Sequence, residues 1–231
     1  LAALGQAFFS LSLGMGCMIT YGSYIPKKEN LTRLAFLTSM ADTGFAILAG
    51  LAIMPAVFAF GVSPAEGPGL VFIVLPRIFA QIPLGNLFAV VFFAILLIAA
   101  ITSVISLMEV ITAYISERFN MKRITTVAIL SVVVTIFASF SSLSQGVLQD
   151  VQLFGKTIFD FFDYLSANIL LPLGGLAIVL FIGRYMKKEV VYQEYTNQGT
   201  LQGTLFKAYY FLIRYVAPVA IVAVFLDLIL R

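Results

Sequence analysis

One serine and two glycines interrupt a strongly apolar run near the start of the chain. Ser12, Gly14 and Gly16 lie within residues 8–19, whose other side chains suit a lipid environment. Each glycine weakens a helix by about 1 kcal/mol relative to alanine, and broken backbone inside a bilayer is tolerated only where it lines a protein cavity or a water-filled site. Because membrane carriers use such breaks to direct half-helix ends and carbonyl oxygens at substrates and ions, the pattern favours a carrier. The alternative is a surface of small residues for close helix–helix packing.

Hydroxyl side chains form a second group of oxygen donors within an apolar stretch. Thr102 and Ser103 are adjacent, and Ser106 follows one turn later. Hydroxyls in membrane helices commonly bond back to their own helix or join neighbouring helices. The alternative is a sodium site, because a hard cation needs several oxygen donors, and hydroxyls together with freed carbonyls supply them without a cage of carboxylates.

Carboxylates inside apolar segments form a third group. An acid in the bilayer costs about 2.5–3.5 kcal/mol on insertion scales and is a functional candidate by default. Asp42 is either such a candidate or an acid near the interface beside a basic loop. Asp160 and Asp163 are spaced i, i+3 on one helix face, which predicts either a solvated outer face or an extracellular gate that requires a cation. Glu109 lies one to two turns before another basic loop.

The composition indicates an integral membrane protein built of helices. The 231 residues are 61% hydrophobic and 11% charged, whereas a soluble domain carries about 25% charged residues. Long uncharged runs favour helices over a barrel. The chain has no histidine and a single cysteine, Cys17, which excludes imidazole metal sites, Ser-His triads and internal disulfides. We therefore expect no enzyme, and no nucleic-acid partner because the basic residues are spread over loops.

Apolar runs of about 20 residues predict six membrane spans. A shorter apolar segment at 69–82 has turn-forming flanks and predicts short outer cap helices over residues 62–85. The chain opens at Leu1 without an initiating methionine or a signal pattern, so we expect residues 1–231 to be one membrane domain cut from a longer protein. The predicted spans are 3–26, 34–61, 86–116, 123–145, 153–185 and 206–229.

The basic residues predict the orientation of these spans. Eleven of the 14 Lys and Arg residues lie on one side, in three groups around residues 27–33, 118–123 and 184–214. Because cytoplasmic loops carry the excess of Lys and Arg, the first span is expected to run from outside to cytoplasm, and the C-terminus is expected to lie outside.

The motifs closely resemble those of the sodium:neurotransmitter symporters, especially bacterial carriers of hydrophobic amino acids. The run from Gly5 to Gly16 resembles the unwound sixth helix of that family, residues 99–103 its eighth helix, and residues 160–163 its tenth helix. The resemblance implies an all-α transmembrane fold: the second half of a five-plus-five inverted-repeat transporter plus an eleventh helix. It also implies a multi-pass protein of the bacterial inner membrane.

The resemblance implies a substrate site for a hydrophobic amino acid such as Leu, Phe or Trp. Phe9 would be an aromatic lid, and the carbonyls of Phe9 and Ser10 with the hydroxyl of Ser12 would face the α-amino group. The negative end of the outer half-helix would add to the attraction. Four side chains would line the side-chain pocket: Met15, Ser103, Ser106 and Leu107.

Sodium ions are the implied cofactors. Ser10 and Asp42 would serve the first sodium, and an Asp at the second of these positions supplies its own charge, so chloride is not expected to be required. The second sodium would take oxygens from Ala99, Thr102 and Ser103.

The resemblance also implies two gates. Gln6, Asp160 and Asp163 would belong to the outer gate, and Tyr24 and Glu117 to the inner gate. The arginines with which they would pair are not in this chain, and neither is the family's first helix, which supplies half of the ligands. The missing N-terminal helices and the lipid bilayer are therefore expected partners.

Three functions remain open from the sequence. The first is sodium-coupled symport of hydrophobic L-amino acids by alternating access. The second is a channel or pore subunit with Asp160 and Asp163 at its mouth, which would need a ring of such groups. The third is an amino-acid sensor that binds without transport.

Overall fold

The computed structural model describes residues 2–26, 28–59, 61 and 69–230. Lys27 and Arg231 of the charge argument and residues 62–68 of the predicted outer cap lie outside the described residues. Within the described part the chain forms nine helices and one short hairpin. They are α1 (Ala2–Ser10), α2 (Cys17–Tyr24), α3 (Leu31–Ala59), α4 (Leu70–Phe79), α5 (Gly85–Phe119), α6 (Arg123–Leu143), β1 (Gln152–Leu153), β2 (Lys156–Thr157), α7 (Ile158–Tyr185), α8 (Lys188–Tyr195) and α9 (Phe206–Leu230).

Five of the described helices are long and apolar enough to cross a membrane: α3, α5, α6, α7 and α9. The first predicted span, 3–26, is instead divided into α1 and α2 around the glycines. The fifth, predicted from residue 153, begins as an antiparallel hairpin in which Leu153 pairs with Lys156. Its helix starts at Ile158 because the Thr157 side chain caps it, accepting a hydrogen bond from the amide of Asp160 at 3.2 Å.

Three proline residues follow stretches of π-helix. Pro76 follows the wide turn at Leu70–Val74, Pro172 the one at Leu165–Leu170, and Pro218 the one at Leu212–Val216. Proline has no amide hydrogen and clashes with the carbonyl four residues earlier. Inserting one extra residue into the preceding turn accommodates that clash without ending the helix.

The chain divides into two compact units, residues 36–105 and residues 1–35 with 106–231. The first unit has a small apolar core in which Val57, Val74, Leu75 and Ile78 are almost fully buried. Phe79 and Phe92 pack beside it with ring centroids 5.7 Å apart.

The second unit is organised around α7 and α9, which pack along each other with α1 against both. Gly5 of α1 faces Val224 and Leu228 of α9, and Gly175 of α7 lies beneath the ring of Phe8. Small residues allow this close approach, which in a bilayer supplies the packing that apolar burial cannot.

Candidate functional site

The helix break lies between Ser10 and Cys17, where the sequence predicts it. Ser12, Gly14 and Gly16 all have positive φ angles, of 51°, 88° and 84°. Side chains disfavour this conformation and glycine does not, so the two glycines permit the chain to leave the helical path. An unbroken helix through this segment is excluded.

The break leaves main-chain oxygens outside the helical hydrogen-bond pattern. The amides of Leu11, Ser12 and Leu13 close the end of α1 onto earlier carbonyls, and regular bonding resumes only where Thr20 donates to Gly16 at 3.0 Å. Within the described residues, no main-chain amide donates to the carbonyls of Leu11 or Leu13. The negative end of α1 and the positive end of α2 therefore meet beside uncommitted carbonyl oxygens.

Helix α7 fixes the position of the broken segment by direct backbone contact. A Cβ added to Gly14 would lie 2.3 Å from the carbonyl oxygen of Leu171, and one added to Gly174 would lie 2.3 Å from the carbonyl oxygen of Gly14. A Cβ on Gly175 would meet the Phe8 ring at 2.8 Å. The break is thus held against α7 by glycines on both sides.

A cavity of about 290 Å³ lies beside the break, between α1 and α2 on one side and α7 and α9 on the other. Its lining is almost entirely apolar and includes Phe8, Ser12, Gly175 and Ile221. The predicted substrate residue Ser12 therefore lines this cavity. Of the other predicted substrate residues in α1, Phe9 has 49% of its surface exposed, and Ser10 is exposed as well.

Two tyrosines of α2, the half-helix that follows the break, form hydrogen bonds to α5. The hydroxyl of Tyr21 donates a hydrogen bond to Ser106 Oγ at 2.5 Å. Ser106 is one of the residues predicted to line the side-chain pocket, so its hydroxyl is already hydrogen-bonded in this structure. Tyr24 donates to Glu109 Oε1 at 2.6 Å. Met15 is half-buried within the break, and Leu107 is 42% exposed on α5.

Glu109 also accepts two hydrogen bonds from Arg123, at 2.7 and 2.6 Å, so one carboxylate joins α2, α5 and the start of α6. The resemblance implies an inner gate at Tyr24 and Glu117 and assigns no role to Glu109. The sequence does indicate that Glu109 is important, because a carboxylate inside an apolar helix requires a partner. It does not identify that partner, since Arg123 lies beyond the next loop of the chain. Glu117 is exposed, and its gate role stays a prediction.

The predicted ligands of the second sodium lie along α5. The hydroxyl of Thr102 donates to the carbonyl of Ala99, with the two oxygens 2.8 Å apart, and Ser103 is exposed next to it. The Ala99 carbonyl lies inside the continuous helix α5, where it also accepts the amide of Ser103, so a cation at these oxygens would compete with existing hydrogen bonds. The hydrogen bond from Thr102 is also the ordinary back-bond of a helical threonine. No cluster of three acidic, His or Cys side chains was found among the described residues, so a cation there would depend on neutral oxygens.

Asp42 lies well inside α3, roughly 16 Å along the axis from Leu31. This is about half the thickness of the hydrocarbon layer, roughly 30 Å. The carboxylate is half-buried. Its role as an ion ligand, like the alternative of an acid near the interface, stays a prediction.

At the outer end of α7, Asp160 takes part in the helix cap. Its carboxylate accepts a hydrogen bond from the Thr157 hydroxyl at 2.7 Å, while the same hydroxyl oxygen accepts from the Asp160 amide. Asp163 and Gln6 are exposed. The structure therefore gives Asp160 a local role, while the gate roles of the three residues stay predictions.

The membrane-length helices and the interrupted one together define a helical membrane protein with a broken helix, an arrangement that secondary transporters share. The family model of the sodium:neurotransmitter symporter family matches residues 1–231. The chain belongs to that family, which confirms the resemblance seen in its motifs.

Relatives of known name agree with this assignment. The sodium-dependent transporter YhdH of Bacillus subtilis is 43% identical over 99% of this chain and 51% of its own length. A sodium-dependent transporter of Haemophilus influenzae is 38% identical over 97% of this chain and 49% of its own length. These relatives are transporters and not enzymes, as expected.

A solved structure confirms the fold class. The crystal structure of MhsT in complex with L-phenylalanine matches with a TM-score of 0.88 and 45% sequence identity, over 98% of this chain and 51% of that one. The chain thus has the all-α transmembrane fold predicted for it, and it spans about half the length of the relatives it matches.

Proposed function

We propose that the protein is a sodium-coupled symporter of hydrophobic L-amino acids that works by alternating access. The observation that carries the proposal is the helix break at Leu11–Gly16, which exposes carbonyl oxygens where two half-helix ends meet. The family and its sodium-dependent members support the coupling to sodium. MhsT, which was solved with L-phenylalanine, supports the substrate class.

The substrate's ammonium group is the part that the break is suited to bind. A carbonyl accepts two hydrogen bonds, so Phe9, which already accepts one from the Ser12 amide at 3.1 Å, still has a lone pair to offer. Ser10 and the Ser12 hydroxyl are proposed to complete the contact, and the negative end of α1 favours a cation there. The exposed Phe9 ring is proposed to cover the bound molecule.

The side-chain pocket is proposed to accept bulky apolar groups. Met15 is flexible and polarisable, so it adapts to side chains of different shape. Leu107 adds apolar surface, and Ser106 is already engaged by Tyr21. These side chains offer no charge to an acidic or basic substrate, which supports Leu, Phe or Trp as substrates.

The second sodium is proposed to bind to neutral oxygens of Ala99, Thr102 and Ser103. Asp42 is proposed as a charged ligand for the other sodium, together with Ser10. A carboxylate among the ligands neutralises a cation without an added anion, so transport is expected not to require chloride. The bacterial inner membrane is the proposed location.

In alternating access, the contacts that close one side of the protein must break before that side can open. The network of Tyr24, Glu109 and Arg123 is proposed to hold α2 against α5 and α6 when the inner side is closed. Since it consists of side-chain hydrogen bonds at the polar end of the helices, it can open without unfolding a helix. The gate roles of Gln6, Asp163 and Glu117 are proposed from the resemblance alone.

Uptake of radiolabelled leucine or phenylalanine by proteoliposomes containing the full-length protein tests the proposal. We expect saturable uptake with sodium that is lost when potassium replaces it. The double variant Thr102→Ala/Ser103→Ala removes two proposed sodium ligands and should abolish sodium dependence. The matched control is Thr135→Ala/Ser139→Ala on α6, where Ser139 bonds back to Thr135; it removes the same groups and should leave uptake unchanged.

The same experiment separates the other functions. Non-saturable flux would indicate a pore, and binding without counterflow would indicate a sensor; either result contradicts the proposal. Equal losses in the two double variants would contradict the assigned sodium site.

Chloride dependence tests the role of Asp42. Wild-type uptake should be the same when gluconate replaces chloride. In Asp42→Asn the fixed negative charge is lost, so we expect uptake to fall in gluconate and to recover in part when chloride is restored. Uptake by Asp42→Asn that is equally low or equally high in both anions would contradict this role.

A further inference from the structure

A polar pocket of about 480 Å³ lies between α8 and the start of α9, away from the helix break. Lys188, Tyr192 and Gln193 line it from α8, and Lys207 lines it from α9. Glu189 is the acidic residue of the lining. Within the described residues neither lysine forms an ion pair, so the two ammonium groups are available to an anion.

Aromatic packing and hydrogen bonds support the walls of the pocket. Phe206 is almost fully buried and packs edge-on against Tyr192, with ring centroids 4.9 Å apart. The loop that follows α8 folds back on Thr196, which is 1% exposed. The Thr196 hydroxyl donates a hydrogen bond to the carbonyl of Tyr192 at 2.8 Å and accepts one from the amide of Gly199 at 3.2 Å. The exposed side chains that line the pocket therefore rest on a hydrogen-bonded turn and a buried aromatic residue.

Gly203 allows the loop to pass close over this aromatic wall. A Cβ at Gly203 would lie 2.8 Å from Tyr192 Cε2 and 3.0 Å from its hydroxyl. A side chain at this position would require the Tyr192 ring to shift. The packing of this wall therefore depends in part on Gly203.

Further cations extend the positive surface along α9. Arg214 lies 5.9 Å from the ring centroid of Tyr210, and Lys188 lies 5.6 Å from the same centroid. Lys207 and Tyr210 are spaced i, i+3 on one helix face, and Arg214 reaches Tyr210 from the π-helical turn that follows. Lys188 and Arg214 therefore bring two positive charges to one ring at this end of α9.

The pocket lies where two membrane-length helices end, α7 at Tyr185 and α9 at Phe206. This is the level of the lipid head groups. Tyr185 is 81% exposed there, as is typical of the aromatic belt at a membrane interface. Clusters of Lys and Arg directly beside a membrane helix attract anionic lipids.

We propose that this pocket binds the phosphate of an anionic phospholipid from the leaflet at the basic end of the helices. Lys188 and Lys207 contribute the charge, and Gln193 and Tyr192 donate hydrogen bonds to phosphate oxygens. The position at the ends of two spans selects a lipid over a free phosphate ion, because acyl chains would lie along α7 and α9. The site is independent of the proposed transport function.

Retention of phosphatidylglycerol by the full-length protein tests the proposal. The protein is reconstituted in phosphatidylcholine nanodiscs doped with phosphatidylglycerol, and bound lipid is counted by native mass spectrometry. Lys188→Gln/Lys207→Gln should weaken retention roughly 25-fold, about fivefold for each lysine. The control Lys28→Gln/Lys122→Gln removes the same charge from the same basic end and should retain phosphatidylglycerol as the wild type does.

A second variant tests the shape of the pocket while leaving its charge intact. Gly203→Ala displaces the Tyr192 ring from its place in the wall and should also lower retention, whereas Gly146→Ala, where an added Cβ meets nothing within 4 Å, should not. Equal losses in the two lysine pairs, or full retention by Gly203→Ala, would indicate charge attraction alone and overturn the proposal. Displacement of the lipid by millimolar inorganic phosphate would overturn the lipid assignment in favour of a phosphate ion site.

Discussion

At the scale of residues, the most informative side chain is Glu109. It lies in the longest apolar helix, and its carboxylate accepts hydrogen bonds from Tyr24 and Arg123. An acid with two donors is far better accommodated in an apolar helix than one without partners. The sequence places the acid, but the two donors come from before and after it in the chain, and only the folded structure assigns them.

Loss of the Tyr24 hydroxyl should loosen α2. Tyr24→Phe removes one of the donors to Glu109 while keeping the ring, so α2 should separate from α5 more often. Cys17, at the start of α2 and almost fully buried, is a natural reporter of that motion. We expect several-fold faster alkylation of Cys17 by a membrane-permeant maleimide, followed by peptide mass spectrometry.

The matched control is Tyr114→Phe, an exposed tyrosine on the same helix as Glu109. It should leave the alkylation rate of Cys17 unchanged. Glu109→Gln, which weakens both contacts, should exceed Tyr24→Phe. A rate unchanged in both Tyr24→Phe and Glu109→Gln would show that the network does not hold α2 in place.

At the scale of elements, the broken helix depends on α7 as much as on its own glycines. The sequence predicts the break because Gly14 and Gly16 tolerate positive φ. It does not predict that Gly174 and Gly175 lie against the broken segment at backbone distance, because that contact joins positions 160 residues apart in the chain. The π-helical turns before Pro76, Pro172 and Pro218 are likewise visible only in the structure.

A methyl group at Gly174 should displace the break. The added Cβ of Gly174→Ala would lie 2.3 Å from the Gly14 carbonyl oxygen, so the backbone must shift. Because the proposed substrate contacts depend on this backbone, we expect at least tenfold weaker sodium-dependent binding of radiolabelled leucine, measured by scintillation proximity.

Gly50→Ala provides the matched control. It adds the same methyl group inside α3, where nothing lies within 4 Å, and alanine favours a helix by about 1 kcal/mol. Binding by this variant should be unchanged. Equal binding by Gly174→Ala and the wild type would mean that α7 does not position the break.

At the scale of the whole molecule, the basic loops meet at one end of the larger unit. The side chain of Asn197, beyond α8, donates to the carbonyl of Glu29, between α2 and α3, at 2.5 Å. Arg123, at the start of α6, reaches the network beside Tyr24 at the end of α2. The charge pattern alone predicts this grouping, since the spans alternate in direction.

The orientation of this end is tested by labelling from one side. Lys122→Cys should react with a membrane-impermeant maleimide only in inverted vesicles. Phe154→Cys, in the hairpin loop where the native side chain is 91% exposed, should react only in intact cells. Cys17 is buried and should add little background. The reverse pattern would overturn the predicted topology.

The sequence by itself determined the membrane helices, the location of the break and the grouping of basic loops. These features follow from hydropathy, backbone freedom and charge, which are properties of neighbouring residues. The tertiary structure decided which groups complete them: the donors to Glu109, the glycines of α7 behind Gly14, and the lysines that share a pocket between α8 and α9. Those contacts bring together residues from distant segments, and their geometry exists only once the helices have packed.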